Sequence, residues 1–185
     1  LLRTLGAEVK QYGSLTVGVE VLGEFAREAG IEKEEAIFAD GSGLSRHSLI
    51  APRAIIQLLR HMAKSPRFET FLNSLPISGA DGTLDERFTG TAARGRIRAK
   101  TGTMERVNAL SGYMDLPSGE RLAFSIMGNK HPRRASEGAA IVDRIVLAIY
   151  QQFSARRRKV APGGTCPRRL AGSPAPAALK GGATQ

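Results

Sequence analysis

The sequence has almost no cysteine and no metal-binding pattern of histidines. Its single cysteine, Cys166, lies near the C-terminal end, so the predicted folded part contains neither a disulfide nor a cysteine metal site. His47, His61 and His131 lack the spacing of a motif such as H-E-x-x-H. His61 falls in a helical pattern, and we interpret it as a half-exposed packing residue. The sequence therefore implies no metal and no cofactor.

Long apolar runs are also missing. No stretch approaches the roughly 18 to 20 apolar residues of a membrane span, so no span is predicted, and no secretory signal opens the chain. With 42% hydrophobic residues, 185 residues suffice for one domain or for a large piece of a bigger one. Because the chain starts at Leu1, and Leu2 and Leu5 continue an amphipathic pattern, we expect a fragment. The missing signal then leaves the compartment open.

Acidic residues are absent from residues 154–185, which hold seven of the 27 basic residues. Although the whole chain has a net charge of +10, residues 1–153 carry 20 basic and 17 acidic residues, a net charge of only +3. The last segment is rich in Pro, Gly and Ala and has few large apolar residues, so we predict a disordered basic tail after a folded part at residues 1–153. It has no interleaved aromatic residues and no recognition motif, so no specific nucleic-acid partner is predicted.

Apolar residues three and four positions apart predict the helices. They indicate a helix in 14–30 that ends at Gly30, another in 51–64 with a proline in its first turn, and a short one near 66–74. The predicted buried face of the first helix contains Leu15, Val19, Leu22, Phe25 and Ala26. A closing helix over 137–153 is predicted to bury a stripe of Ile141, Ile145, Ala148, Ile149 and Phe153.

Three consecutive strands are predicted at about 95–103, 107–115 and 120–128, the last two joined by the turn DLPSGE. A short strand precedes the glycine-rich stretch DGSGLSR at 40–46. Helices followed by a three-strand meander and a closing helix are typical of an α+β fold, in which helices flank an antiparallel sheet.

A lysine lies within the first strand of this meander. Ile97, Ala99 and Thr101 share one face of the strand, whereas Lys100 and Gly102 share the other with Arg98. Lys100 can therefore face a cleft, beside the hydroxyls of Thr101 and Thr103, and Gly102 lets another main chain lie close. This pattern suits an extended peptide that ends in a carboxylate. The backbone N–H of Thr103 could point at a developing oxyanion. An exposed strand lysine before a turn is the alternative.

KTGTMERVNALSGY, together with DGSGLSR and LPISGADGTL at 75–84, resembles the penicillin-binding D-alanyl-D-alanine carboxypeptidase/endopeptidase family, in its low-molecular-mass class C branch. The resemblance extends to about residue 150 and implies the C-terminal part of a serine β-lactamase/penicillin-binding-protein-like transpeptidase fold. Lys100, Thr101 and Gly102 match the K-T-G motif of such sites. The resemblance implies a catalytic role for Lys100, substrate binding by Thr101, Gly102 and Thr103, and an oxyanion-hole N–H at Thr103.

The other two motifs of the family, S-x-x-K and S-x-N, occur nowhere in these residues. The fragment therefore lacks the nucleophilic serine, its lysine base and the second serine, and we expect it to be inactive alone. For the intact enzyme the resemblance implies that the serine attacks the carbonyl between two D-alanines of a peptidoglycan stem peptide, with an acyl-enzyme as intermediate. β-Lactam antibiotics would enter by the same attack, and the enzyme would be periplasmic or otherwise extracytoplasmic.

DGSGLSR has a structural and a catalytic interpretation. Asp40 and Gly41 predict a turn, and Ser42 and Ser45 could shape the loop or cap the helix near Ala51. Gly43 to His47 also falls one residue short of the nucleophile elbow G-x-S-x-G. An α/β-hydrolase-type serine esterase using Ser45 is thus one alternative function, although it requires a parallel sheet. A non-catalytic basic module that binds anions or nucleic acid is another.

Overall fold

The computed structural model describes residues 1–156, and these form two sheets flanked by helices. The helices are α1 (Leu2–Lys10), α2 (Leu15–Glu28), α3 (Pro52–Met62), α4 (Phe68–Asn73) and α5 (Ala135–Arg156). The strands are β1 (Ala36–Ile37), β2 (Leu49–Ile50), β3 (Ile97–Met104), β4 (Val107–Asp115) and β5 (Arg121–Asn129). The predicted disordered tail falls largely at residues 157–185, outside the described residues, and α5 includes residues 154–156.

The main sheet is an antiparallel meander in the order β3-β4-β5. Lys100 lies opposite Ser111 on β4, which in turn lies opposite Ser125 on β5. A smaller two-stranded sheet pairs β1 with β2. The three predicted strands lie within two residues of the observed bounds, and the predicted α+β class is confirmed.

One face of the main sheet packs against α5. Val142, Val146 and Tyr150 recur every four residues along the helix and contact the cluster of apolar sheet residues. The predicted stripe on this helix was wrong at Ile141 and Ile145, which are each 43% exposed, and at Ala148 and Phe153, which are also exposed, whereas Ile149 is half-buried and packs against this cluster. The helix carries two neighbouring apolar stripes, and the polar residues between them do not mark which one is buried. The stripe that contains Tyr150 packs against the sheet.

The opposite face of the sheet packs against α3 and α4. Tyr113 contacts Leu59, Leu72 and Leu75, and its hydroxyl donates a hydrogen bond of 2.6 Å to the carbonyl oxygen of Leu59. The main sheet is therefore covered on both faces, but α3 and α4 cover only the part around Tyr113 on this face.

Helices α1 and α2 pack closely at two glycines, Gly6 of α1 and Gly18 of α2. A Cβ placed on Gly18 would lie 2.2 Å from the carbonyl oxygen of Leu2, so only glycine permits this approach. Gly18, Val21 and Ala26 of α2 are buried, Gly18 against α1 and Ala26 in a cluster with Ala54 of α3. The predicted apolar face was wrong as a buried face at Leu15 and Phe25, which are 52% and 39% exposed.

His61 on α3 is half-buried and meets the ring of Phe25 edge-on, with centroids 5.6 Å apart, which confirms its interpretation as a packing residue. Among the described residues, no helix is long and apolar enough to cross a membrane.

Candidate active site

β3 is an outer strand of the main sheet, and its main-chain groups alternate in direction. The carbonyl of Arg96, just before the strand, accepts a hydrogen bond from Asp115 at 2.8 Å, whereas the N–H of Ala99 donates outward to Pro76 at 3.0 Å. The main-chain N–H and C=O groups of even-numbered residues therefore point toward β4, and those of odd-numbered residues point to the outer edge of the sheet. It follows that the main-chain groups of Thr101 and Thr103 point away from the sheet.

This part of the edge is open. Among the described residues, no main-chain group outside β3 pairs with the N–H of Thr101 or Thr103. The carbonyl of Thr101 accepts a hydrogen bond of 2.7 Å from the Lys100 ammonium group. An unpaired stretch of strand edge can accept another extended chain by main-chain hydrogen bonds.

Gly102 is not required by the fold around it. Its φ angle lies outside the left-handed region, and a Cβ at this position would meet nothing nearer than the Cβ of Ala109, at 3.4 Å. By contrast, a Cβ on Gly112 of β4 would lie 2.1 Å from the carbonyl oxygen of Arg98. The absent side chain at Gly102 leaves space on the sheet face that Gly102 shares with Lys100 and Ala109.

Lys100 lies, as predicted, on the sheet face opposite to Ile97 and Ala99. Ile97 and Ala99 are fully buried against the α5 side, whereas Lys100 is exposed. Its cross-strand neighbour Ser111 shares a hydrogen bond of 2.9 Å with Ser125. The sheet face at Lys100 therefore carries a row of hydroxyl groups instead of apolar side chains.

A groove of about 950 Å³ runs along the C-terminal half of β3. Gly102 and Thr103 line one side, and Ser45 and Arg46 of the DGSGLSR loop line the other. Arg46 forms an ion pair with Glu105 at 3.3 Å. Because both side chains are largely exposed, this pair contributes little to the stability of the fold. Lys100 and Thr101 lie beyond the groove lining.

The serines of DGSGLSR shape their own loop. Asp40 accepts hydrogen bonds from the N–H and the hydroxyl of Ser42, at 2.9 and 2.8 Å. The hydroxyl oxygen of Ser45 accepts from the N–H of His47 at 3.2 Å. This confirms the loop-shaping interpretation, but the expectation of a serine cap was wrong, because Ala51 precedes α3 and provides no side-chain cap.

The segment LPISGADGTL lies at the other end of the open edge. The Thr101 hydroxyl donates a hydrogen bond of 3.1 Å to the hydroxyl of Thr83. The carbonyl oxygen of Pro76 accepts the hydrogen bond from the N–H of Ala99. Sequence reasoning missed Thr83 as a neighbour of the K-T-G motif. The three stretches that carried the resemblance therefore meet around β3.

Residues 1–150 match the family described as D-Ala-D-Ala carboxypeptidase 3 (S13). The chain belongs to this family. It is 40% identical, over 156 residues, to the D-alanyl-D-alanine carboxypeptidase of Actinomadura sp. (strain R39), and the match covers 82% of this chain and 28% of that enzyme. The chain thus spans less than a third of the length of this relative.

Solved structures agree with this assignment. Penicillin binding protein 4 (dacB) from Haemophilus influenzae superimposes with a TM-score of 0.71 at 25% identity, over 83% of this chain and 35% of that protein. The same protein has also been solved in complex with a β-lactam. A class A β-lactamase representative from Bacteroides cellulosilyticus, 19% identical, shares the fold with a TM-score of 0.60 over 76% of this chain and 56% of that chain. The predicted β-lactamase-like fold is confirmed.

The structure argues against the serine esterase alternative more strongly than against the basic binding module. Ser45 lies in a loop between two short antiparallel strands, so it lacks the parallel strand-to-helix turn of a nucleophile elbow. The basic binding module depends on the basic tail, of which residues 157–185 lie outside the described part of the chain.

Proposed function

We propose that these residues form the substrate-edge half of the active site of a serine-type D-alanyl-D-alanine carboxypeptidase/endopeptidase. The observation that carries the proposal is the open edge of β3, where K-T-G occupies the unpaired stretch. In this proposal Lys100 is the catalytic residue, and Thr101, Gly102 and Thr103 bind the substrate.

The direction of a bound peptide follows from the strand. A peptide that pairs antiparallel to β3 runs from Thr103 toward Thr101. Its C-terminal end then approaches Lys100, which supplies a positive charge at an exposed position. A terminal carboxylate would be held there by the ammonium group and the threonine hydroxyls.

The reacting carbonyl would lie one residue earlier, near the N–H of Thr103. This N–H points outward and has no main-chain partner among the described residues. A fixed donor of this kind stabilises the negative charge that develops on a carbonyl oxygen under attack. Gly102 would let the substrate main chain approach closely enough for both contacts.

The nucleophile is not supplied by this stretch of sequence, which contains no S-x-x-K and no S-x-N motif. We propose that a serine and a lysine base from other residues of the protein complete the site. Attack on the D-Ala-D-Ala carbonyl would release D-alanine and leave an ester, which water then hydrolyses. Lys100 would make electrostatic and proton-relay contact with the serine of the S-x-N motif, and its charge would attract the substrate carboxylate.

Peptidoglycan stem peptides are the proposed substrates, and β-lactam antibiotics the proposed inhibitors. The Haemophilus structure with a bound β-lactam supports the second proposal. Peptidoglycan as substrate implies a periplasmic or extracytoplasmic location.

Labelling with a fluorescent penicillin tests this function. The longer protein that carries these residues should be labelled and should release D-alanine from a D-Ala-D-Ala peptide, whereas the 185-residue chain alone should do neither. Absence of labelling and hydrolysis in the longer protein would overturn the proposal. Labelling of the chain alone at Ser42 or Ser45 would instead revive the esterase alternative.

A further inference from the structure

A buried amide lies behind the strand segment that presents the N–H of Thr103. Asn108 of β4 lies opposite Thr103 in the sheet register and is only 2% exposed. Its side chain shares the sheet face of Leu110 and Met114, which pack in the cluster with α5. Asn108 therefore faces away from Lys100, and its side chain does not meet a substrate bound on that side of the sheet.

Asn108 joins β4 to the connection between β5 and α5. Its amide nitrogen donates a hydrogen bond of 3.0 Å to the carbonyl oxygen of Ala135, the first residue of α5. Its amide oxygen consequently faces His131, whose Nε2 lies 2.9 Å away. Because this oxygen can only accept, the Nε2 atom of His131 carries the proton. One buried side chain thus links β4, the connection and α5.

The packing around this amide is close. A Cβ placed on Gly138 of α5 would lie 2.1 Å from Oδ1 of Asn108 and 2.8 Å from Cε1 of His131, so the helix approaches both side chains as nearly as a glycine allows. The second ring nitrogen of His131, Nδ1, is buried and has no hydrogen-bond partner among the described residues. A buried polar group without a partner costs free energy. Stability alone therefore does not account for a histidine at this position.

The linked part of β4 is the part that holds Thr103. Two register pairs flank Thr103, namely Gly102 with Ala109 and Met104 with Val107. The main-chain groups of Gly102 and Met104 point toward β4, so these pairs tie Thr103 to that strand. Asn108 lies between their two partners on β4. A segment of β4 that is fixed against α5 therefore also fixes the direction of the outward N–H of Thr103.

We propose that Asn108 and His131 form a positioning pair, which aims the N–H of Thr103 at the oxyanion from the side of the sheet opposite to Lys100. This inference rests on the proposed function and deepens it. An oxyanion-hole donor is effective only when it is aimed at the place where the charge develops. A small displacement of such a group slows the reaction without weakening the binding of the substrate.

The test uses the longer protein that carries these residues and an N-acylated D-Ala-D-Ala peptide. His131→Leu removes the hydrogen bond to Asn108 and should lower kcat about tenfold with KM nearly unchanged, a smaller loss than removal of an oxyanion-hole donor causes. His131→Gln, whose amide can still donate to Asn108, should restore most of the rate. Asn108→Ala breaks the same contact from the other side and should give the same result, so the test does not depend on the folding of one variant.

Two further measurements separate positioning from a general loss of stability. A peptide boronic acid forms a tetrahedral adduct with an active-site serine, and its affinity should fall by the same factor as kcat. Val146→Ala removes apolar contacts of α5 at another fully buried position. This control should leave both kcat and the affinity for the boronic acid unchanged in the folded protein.

An unchanged kcat in folded His131→Leu or Asn108→Ala, a loss confined to KM, or an equal loss in Val146→Ala would overturn the inference. In each case an active wild-type protein leaves the proposed function standing. A wild-type protein that neither cleaves the peptide nor reacts with penicillin would overturn both.

Discussion

The Lys100 ammonium group donates a hydrogen bond of 2.7 Å to the carbonyl oxygen of Thr101, a group on the open edge of β3. Among the described residues, the Lys100 side chain forms no other hydrogen bond or ion pair. The contact joins an exposed side chain to its own neighbour, so it connects no two elements of the fold. Lys100 is therefore positioned by the strand without being needed to hold the strand in place.

Lys100→Ala should consequently separate activity from stability. We expect the free energy of unfolding to change by only about 0.5 kcal/mol, as is usual at exposed positions. In the longer protein, acylation by penicillin should fall roughly a hundredfold or more, the scale on which one preorganised electrostatic group contributes. Stopped-flow acylation and thermal melting of the same preparations measure both quantities. An unchanged acylation rate would identify Lys100 as an ordinary exposed strand lysine.

Two glycines of the main sheet provide a matched pair. Gly112→Ala forces a Cβ to within 2.1 Å of the Arg98 carbonyl oxygen, and because main-chain atoms must move, we expect a loss of about 3 kcal/mol. Gly102→Ala meets only the Ala109 side chain and should leave stability nearly unchanged. Urea unfolding of the chain measures both.

Gly102 is also expected to matter for ligand binding, although it is not needed for stability. In the longer protein, Gly102→Ala should slow penicillin acylation about tenfold or more, because the added methyl group would project into the groove that Gly102 lines and displace the ligand. Normal acylation in this variant would mean that Gly102 keeps no space for a ligand.

Much of the fold was predictable because the local signals were strong. The alternation of Ile97 and Ala99 with Lys100 identified the buried face of β3, and the strand bounds followed from the flanking turns. The K-T-G residues could be named from their motif. Their contact with Thr83 could not, because it joins residues 18 positions apart through the anchoring of a loop, which no local pattern reports.

The helix faces were harder to predict for a different reason. Helix α5 carries apolar residues on both sides of the stripe that contacts the sheet, so spacing alone favours neither face. On α2 the buried surface is made partly of glycine, which a search for large apolar side chains overlooks. In both helices tertiary packing, and not hydrophobicity, decides which side chains are buried.

The orientation of α5 can be checked with neighbouring residues. Val146→Ala removes two methyl groups from a fully buried position and should cost about 2 kcal/mol. Ile145→Ala, at a position 43% exposed, should cost less than about 1 kcal/mol although more atoms are removed. Urea unfolding of the two variants provides the comparison. The reverse order would place the predicted stripe against the core after all.

Tyr113 gives the fold a dependence on alkaline pH. Burial raises the pKa of its phenol to about 12, and the positive charge of Arg121 offsets part of this effect. The hydroxyl is 2.6 Å from the carbonyl oxygen of Leu59. A phenolate would lose this donated hydrogen bond and would carry its charge in a residue only 3% exposed.

The sign of the effect follows from proton binding. An unfolded tyrosine loses its proton near pH 10, whereas the folded chain keeps the proton of Tyr113 up to about pH 12. Stability from this residue is therefore complete below pH 10 and is lost as the pH rises toward 12. Two pKa units correspond to about 2 to 3 kcal/mol.

Tyr113→Phe should remove this dependence. At pH 8 the variant should be less stable by only about 1 kcal/mol, because the Leu59 carbonyl still accepts a hydrogen bond from Ala63. Between pH 10 and 12 its stability should fall less steeply than that of the wild type, so the two curves converge and then cross, because the wild type loses more than the initial difference of about 1 kcal/mol. Urea unfolding followed by circular dichroism at successive pH values measures this, with Tyr12→Phe, at a position 67% exposed, as control. Parallel curves for the wild type and Tyr113→Phe would mean that the buried phenol does not hold its proton more tightly in the folded chain.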